Sequence, residues 1–397
     1  MKNLLFILVC MCVSMLAQAQ TWQETYNQGD EYYNKQDYKN AVIYYEKSLP
    51  LAEKEFGKES KVYANTLNDV GLCYDKQGLY AKSESAYLSS KNIFEKLFGK
   101  ENQDFINICS NLISLYSKQN LDMKVEPLLI VVKNIYEKTK GKESKDYALY
   151  CNKLASLYQD RWLYAEAEPL YVEAKNIQAR VLGKESVDYA TSCNNLADLY
   201  KSQGLYAKAE PLYLEAKKAL QELLDKQYFS YAVVCNSLGD LYYNQSLYTK
   251  ADPLYLEAKN VCEKMVGKNN TDYAKYCNNL AASYLSQALY TEAEPLFIEA
   301  KNTREKVLGK EDPDYAVSCV NLAVLYYRQA LYSKAKPLLI EAKNIREKVL
   351  GKGHPDYAIS CDDLANLYKE QGLNVKAKAL YAEAEESRKM AAKKNKP

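Results

Sequence analysis

Apolar and polar positions along most of the chain repeat with the period of a helix. In one stretch Cys193, Leu196, Ala197 and Tyr200 fall at i, i+3, i+4 and i+7, a single helical face. A second stretch repeats the pattern with Ala209, Tyr213 and Ala216. Polar residues fill the other faces, so each stretch predicts an amphipathic helix. The two form a pair, and the pair recurs. Cys109, Cys151, Cys193, Cys235, Cys277, Cys319 and Cys361 are spaced by 42 residues, as are Phe105, Tyr147, Tyr189, Tyr231, Tyr273, Tyr315 and Tyr357. A fixed period in this range predicts a stack of supersecondary units rather than a single closed core.

Punctuation marks the limits of each helix. Gly57, Gly99, Gly141, Gly183, Gly267, Gly309 and Gly351 close the second helices, where a left-handed αL residue is expected. Three residues later Ser60, Asn102, Ser144, Ser186, Asn270 and Asp312 can cap the next helix, and His354 takes the same place in the last unit. Pro313 and Pro355 follow at the first helical position. Pro127, Pro169, Pro211, Pro253, Pro295 and Pro337 lie early in the second helices, where the missing N–H is expected to be one that a helix leaves unpaired. Asp225 to Tyr231 lacks both glycine and cap, which predicts an irregular turn.

These residues carry a resemblance. Leu196, Ala197, Tyr200, Ala209, Tyr213 and Ala216 resemble the large, small, aromatic, Ala, aromatic, Ala signature of the tetratricopeptide repeat (TPR). Nine units start near residues 22, 64, 106, 148, 190, 232, 274, 316 and 358. The 42-residue unit is longer than the usual 34, and Cys replaces an aromatic in most first helices. This form resembles the repeats of kinesin light chain, and more closely the bacterial TPR arrays that precede a caspase-like CHAT protease domain. The resemblance implies an all-α, right-handed TPR superhelix (an α-solenoid) over residues 20–388. After it, 389–397 reads as a basic tail. No protease segment accompanies the repeats, so protease activity is not carried over.

The N-terminus departs from the pattern. Lys2, an apolar run from Leu4 to Leu16, and Ala17-Gln18-Ala19 read as a secretory signal peptide over residues 1–19, cleaved before Gln20. The run is shorter than the roughly 20 residues of a membrane span, and no later stretch could cross a bilayer. Cys10 and Cys12 lack the small residues that precede a lipidated cysteine. The expectation is a bacterial protein exported to the periplasm or secreted.

Composition narrows function by exclusion. The 397 residues carry a net charge of +2, which leaves no basic footprint for nucleic acid. One histidine among 397 residues argues against Ser-His-Asp, Cys-His and multi-His metal sites. No catalytic, cofactor or metal residues are therefore assigned. The phased cysteines read as small buried hydrophobes, because stacked equivalent helices lie too far apart for a disulfide ladder. Cys73 and Cys262 fall outside that phase. Most of the 38 tyrosines occupy repeated packing positions, whereas Tyr243 and Tyr327 fall one residue past the core aromatic and Trp162 sits in a turn. Lysines at 58, 100, 142, 184, 226, 268, 310 and 352 form a phased series along the inter-repeat loops. They read as solubilising charge or as a rim that attracts an acidic surface.

The binding surface follows from the resemblance, which implies that first helices line a concave groove. Asn68, Asn111, Asn152, Asn194, Asn195, Asn236, Asn278, Asn279 and Asn321 flank the buried leucines there. An amide both donates and accepts, so such a ladder either binds the backbone of an extended peptide or bonds neighbouring repeats together. Lys153 and Lys275 are too isolated for a repeated carboxylate clamp, and Asp362-Asp363 makes the last unit acidic. The expected partner is a protein or extended peptide, with self-association through the array ends as a further reading. The expected function is a non-catalytic scaffold or adaptor of the cell envelope; the alternative is a recognition component for a separately encoded effector such as a CHAT-like protease.

Overall fold

The computed structural model describes residues 21–394; the signal-peptide reading falls outside them. Among the described residues there are eighteen helices and no strand. They divide into two compact units, up to and after residue 181. The first holds α1 (Trp22–Asn34), α2 (Tyr38–Phe56), α3 (Lys61–Lys76), α4 (Tyr80–Phe98), α5 (Gln103–Ser117), α6 (Asp122–Lys140), α7 (Lys145–Asp160) and α8 (Tyr164–Val181). The second holds α9 (Val187–Ser202), α10 (Tyr206–Gln221), α11 (Leu224–Asn244), α12 (Tyr248–Val266), α13 (Thr271–Ser286), α14 (Tyr290–Leu308), α15 (Pro313–Arg328), α16 (Tyr332–Leu350), α17 (Pro355–Glu370) and α18 (Asn374–Lys394). Within each unit every helix packs on the next, giving stacked hairpins, four in the first unit and five in the second. The expected all-α solenoid architecture is thus present in each. The last helix runs on through Lys389 to Lys394, into the segment read as a tail.

Capping explains where the first helices begin. Ser60, Ser144 and Ser186 each accept from the backbone N–H three residues on, while Asn102, Asn270 and Asp312 accept from the one two residues on. His354 does the same through Nδ1, 3.2 Å from the Asp356 N–H, so the only histidine has a local structural task. Between the helices of a pair the chain turns through one residue of positive φ. Gly78 and Gly204 serve there, but so do Asn120, Trp162 and Ala288. The following leucine N–H returns to the tyrosine carbonyl five residues back, as from Leu79 to Tyr74 at 2.9 Å, in a Schellman closure.

Two expectations about punctuation change. The glycines that close second helices are not αL: Gly57 has φ 88° and ψ 155°, and Gly309 φ 88° and ψ 167°. That is the region essentially confined to glycine, and it swings the chain directly into the extended cap. The helix prolines also differ. Pro211 is the sixth residue of α10, beyond the first turn, so its missing N–H removes an interior helix bond. The irregularity expected between Asp225 and Tyr231 is present: α11 joins two helices across a kink at Gln227, whose φ −127° and ψ 31° are non-helical.

The core alternates small residues and rings. Cys193, Leu196, Ala197, Ala209, Tyr213 and Ala216 are all buried, and so are most of their counterparts in other repeats, Tyr381 of the last helix being exposed. The nine described cysteines form no disulfide with one another and are all buried, Cys73 and Cys262 included. Burial pushes the Cys73 thiol up to about 12 and that of Cys262 up to about 11, away from the thiolate that reacts. In residues 20–397 a disulfide exchange reagent should therefore leave all nine thiols unmodified in the native state and titrate nine in denaturant. Rapid native modification of any of them would show that its helix opens far more readily than this packing allows.

Candidate functional site

The face carried by the first helices is where side chains reach solvent without being consumed by the hairpin core. On α7 these are Leu149, Lys153, Ser156 and Asp160; on α13 Lys275, Asn279, Ala282 and Ser286 serve instead. Their i, i+4, i+7, i+11 spacing leaves one stripe per helix.

The asparagines expected to line this face are mostly engaged with one another. Asn152, Asn194 and Asn236 are buried, and the other six are partly buried. In the first unit Asn111 Nδ2 donates to Asn68 Oδ1 at 2.9 Å. In the second, Asn279 donates to Asn236 at 2.8 Å and Asn321 to Asn278 at 2.6 Å. All three bonds join residues 43 apart, one repeat plus one residue. Tyr26 to Asp69 at 2.6 Å and Tyr243 to Ser286 at 2.9 Å follow the same vector. These contacts are rungs between neighbouring first helices, the second of the two roles the sequence left open. Asn194 donates to Asp198 at 2.8 Å, and its Oδ1 is buried without a hydrogen-bond partner. The residue one rung on is Ser237, not asparagine.

Three cavities open on this face, and each is lined by a member of a rung that lacks its asparagine pair. In the first unit a cavity of about 400 Å³ lies between α5 and α7, lined by Ser110 and Lys153. In the second, one of about 240 Å³ is lined by Asn194, Thr191, Phe229 and Val233. Another of about 230 Å³ is lined by Asp363, Tyr327, Arg328 and Asn366. Tyr327, singled out in the sequence, thus lines a cavity, whereas Tyr243 is spent on a rung. Asp362 pairs with Arg388, so of the two acidic residues of the last unit only Asp363 lines the cavity. Burial raises the Asp363 carboxyl. Trp162 lies 77% exposed in its turn, with its ring 6.1 Å from Tyr164.

Seven of the eight phased loop lysines are ion-paired; the Lys226 side chain lies outside the described ones. Lys58, Lys100, Lys142 and Lys310 each pair with a glutamate of the preceding helix at 3.3 to 3.5 Å. Lys184 reaches Glu215 at 3.1 Å, Lys268 reaches Glu299 at 2.7 Å and Lys352 reaches Glu347 at 3.3 Å. This favours the solubilising role over a free cationic rim. Of two cavities near these loops in the second unit, one of about 530 Å³ is flanked by Lys310 and Lys348, both paired, and one of about 510 Å³ by the paired Lys268 and by Lys306. Among the described residues no cluster suited to a metal ion exists, and no helix is long and apolar enough to cross a membrane.

Sequence comparison agrees with this geometry. A tetratricopeptide repeat model matches residues 22–96, 146–222, 274–342 and 317–390, and a second model of the same repeat matches 232–272. The chain belongs to the tetratricopeptide repeat family. No curated protein matches the chain. Among solved structures, BtubC (BKLC) from P. vanneervenii is similar at 26% identity over 60% of this chain and 93% of its own, with a TM-score of 0.52. A Rap protein complexed with competence and sporulation factor aligns over 94% of this chain and 98% of its own at 12% identity, TM-score 0.51. A STAND signal-transduction ATPase with a tetratricopeptide repeat sensor, from Pyrococcus horikoshii, aligns over 88% of this chain and 52% of its own at 15% identity, TM-score 0.56. The last two show the fold alone.

The rungs of this TPR protein make two predictions. Asn236→Ala and Asn279→Ala should each destabilise the second unit, and a double-mutant cycle should give a coupling of about 0.5–1.5 kcal/mol. Additive effects would mean that the bond contributes nothing. The second concerns Asp69, whose carboxyl is pushed up to about 6 because burial outweighs the bonds from Tyr26 and Asn68. Its unfolded value is about 3.9, so the folded state holds the proton more tightly. Stability from this group is lost as pH rises through 6 and recovered as pH falls toward 4. Asp69→Asn, which places here the residue found at 111, 279 and 321, should raise stability at pH 7 by on the order of 1–2 kcal/mol and flatten the pH 4–6 slope. Denaturant melts at pH 4, 6 and 7 would measure this.

Proposed function

We propose that this TPR protein is a non-catalytic scaffold or adaptor that binds a protein or extended peptide on the face formed by its first helices. The observation that carries the reading is the set of three cavities on that face, each floored by side chains from two neighbouring repeats. A rigid repeat array presents such a surface at fixed spacing, and an extended chain can place successive side chains along it. Of the ladder asparagines, Asn194 and Asn195 line one of these cavities, and their amides remain part of the proposed surface. The Rap structure, complexed with competence and sporulation factor, supports this use of the fold. The signal-like N-terminus supports export into a bacterial envelope, with a periplasmic or secreted destination. A role as recognition component for a separate CHAT-like protease is the alternative, resting on the likeness of the repeats alone.

The test uses residues 20–397 as bait against envelope and cytosolic extracts of the source cells. Beside it runs a variant changing Leu149, Lys153, Thr191, Val233, Lys275, Val317 and Ile359 to serine, on the solvent-reaching stripe of α7, α9, α11, α13, α15 and α17. The expected result is an envelope protein captured by the natural chain and lost at least tenfold by the variant at unchanged melting temperature. Equal capture would move the site to the second helices or loops and refute the reading. N-terminal sequencing of the protein recovered from cells should give Gln20; an intact Met1 would remove the export reading.

A further inference from the structure

The cavity between α5 and α7 differs from the others in its charge. Lys153 and Asp160 both line it, seven residues and so about 10 Å apart along α7. Asp122, the first residue of α6, lines the same end as Asp160. Four serines, Ser110, Ser114, Ser117 and Ser156, complete much of the wall. None of Lys153, Asp122 and Asp160 has an ion-pair partner among the described residues, although neighbouring charges do: Lys118 reaches Asp75 at 2.6 Å, Lys124 reaches Glu84 at 2.6 Å, and Arg161 reaches Glu126 at 2.5 Å. The Lys153 ammonium instead sits over the Tyr150 ring, 4.9 Å from its centre. The cavity walls lower the lysine from its ordinary value with no acid to offset them. They raise the Asp160 carboxyl, and the Asp122 charge raises it further. Positive charge at one end and negative charge at the other are thus both left uncompensated.

The rung vector explains why a space exists there. Ser110 and Lys153 stand 43 residues apart, where Asn68–Asn111, Asn236–Asn279 and Asn278–Asn321 bond across. Ser110 is turned to Tyr150 instead, at 2.7 Å, and Lys153 is free to face the cavity.

We propose that this cavity is a binding site for a dipolar segment of an extended peptide. A ligand carboxylate meets Lys153 and the serine hydroxyls, and a ligand ammonium or guanidinium meets Asp160 and Asp122. At about 3.3 Å per residue of extended chain, the two ligand charges belong about three positions apart. The proposal rests on the peptide-binding reading above and gives it a location and a sequence preference.

A phage-displayed random octapeptide library, panned on immobilised residues 20–397, supplies the probe. Enriched peptides should carry an acidic and a basic residue about three positions apart, and neutralising either should weaken binding of the synthetic peptide about tenfold. The variant Ser110→Asn/Lys153→Asn restores an asparagine rung, so it should melt no lower than the natural chain while losing the same peptides. Asp160→Asn, which leaves the rung position untouched, should reduce the preference for the basic residue alone. Peptides without the charge pair, or retained equally by the rung-restoring variant, would overturn this site and leave peptide binding elsewhere intact. Absence of any enriched peptide would overturn the site together with the reading it rests on.

Discussion

A tyrosine fills a helical core at least cost where its hydroxyl finds an acceptor, and this constraint organises most of the repeats, the buried Tyr276 with its unpaired hydroxyl being an exception. The ring supplies large apolar area, but a buried hydroxyl left unpaired costs about 1–3 kcal/mol. Here each tyrosine series has its own carboxylates. Tyrosines at the start of first helices reach a glutamate on the second helix of their own hairpin, as Tyr189 to Glu215 at 2.5 Å and Tyr315 to Glu341 at 3.0 Å. Those late in first helices reach back to the preceding repeat, as Tyr116 to Glu84 and Tyr326 to Glu294, both at 2.7 Å. Those on second helices return to the inner aspartates, as Tyr213 to Asp198 at 2.6 Å and Tyr255 to Asp240 at 2.7 Å. Lysines complete the set from above the rings, with Lys301 5.2 Å from the centre of Tyr315 and Lys334 4.9 Å from that of Tyr326. The glutamates and lysines of a nearly neutral chain are thus structural partners of its tyrosines as well as solubilising charge.

This arrangement decides which features the sequence could disclose. Helix limits, caps and the buried cysteines depend on neighbours a few residues away, so Ser60, Ser186 and His354 were legible as caps and Cys193 as core. The candidate site depends on pairing across repeats, which a periodic pattern announces only as periodicity. Asn68 and Asn111 look like two members of one exposed ladder, and nothing local says that one donates to the other. The offset of 43, rather than 42, is what separates bonded pairs from repeated positions, and it is set by how adjacent first helices pack. The punctuating residues were found but their geometry was not. Gly57 was visible as a terminator, yet its extended ψ follows from where the next cap must lie. Pro211 was visible as tolerated, yet the helix begins too early for its missing N–H to be one of the unpaired ones.

The same rung logic gives the inner face its pattern. A complete rung uses both asparagines and draws two first helices together; an incomplete one leaves side chains with nothing to bond and space beside them. Ser110 with Lys153, Asn194 with Ser237, and Val320 with Asp363 are the incomplete ones within the two units. Their substitutions are chemically unlike one another, so the cavities beside them are a cationic and acidic one, one with a buried amide oxygen and apolar walls, and one carrying Asp363 and Arg328. A near-perfect repeat therefore acquires distinct local chemistries through changes at one register position.

Charge pairing ranks these places against the rest of the surface. An exposed ion pair contributes little to stability, with a median of about 0–1 kcal/mol, but it does occupy the groups that form it. A lysine already matched to a glutamate, such as Lys268 with Glu299, must give up that contact before it can bind a ligand. The larger cavities beside the inter-repeat loops are flanked mostly by lysines of this kind, Lys306 apart, and their size alone does not recommend them. Lys153, Asp160 and Asp122 require no such exchange, and their partial desolvation is already present in the free protein. A ligand that supplies the missing counter-charges replaces weakly solvated groups rather than competing with good internal partners. In a fold that satisfies nearly all of its tyrosines and loop lysines from within, the unsatisfied charges of the α5–α7 cavity are where binding energy is most readily gained.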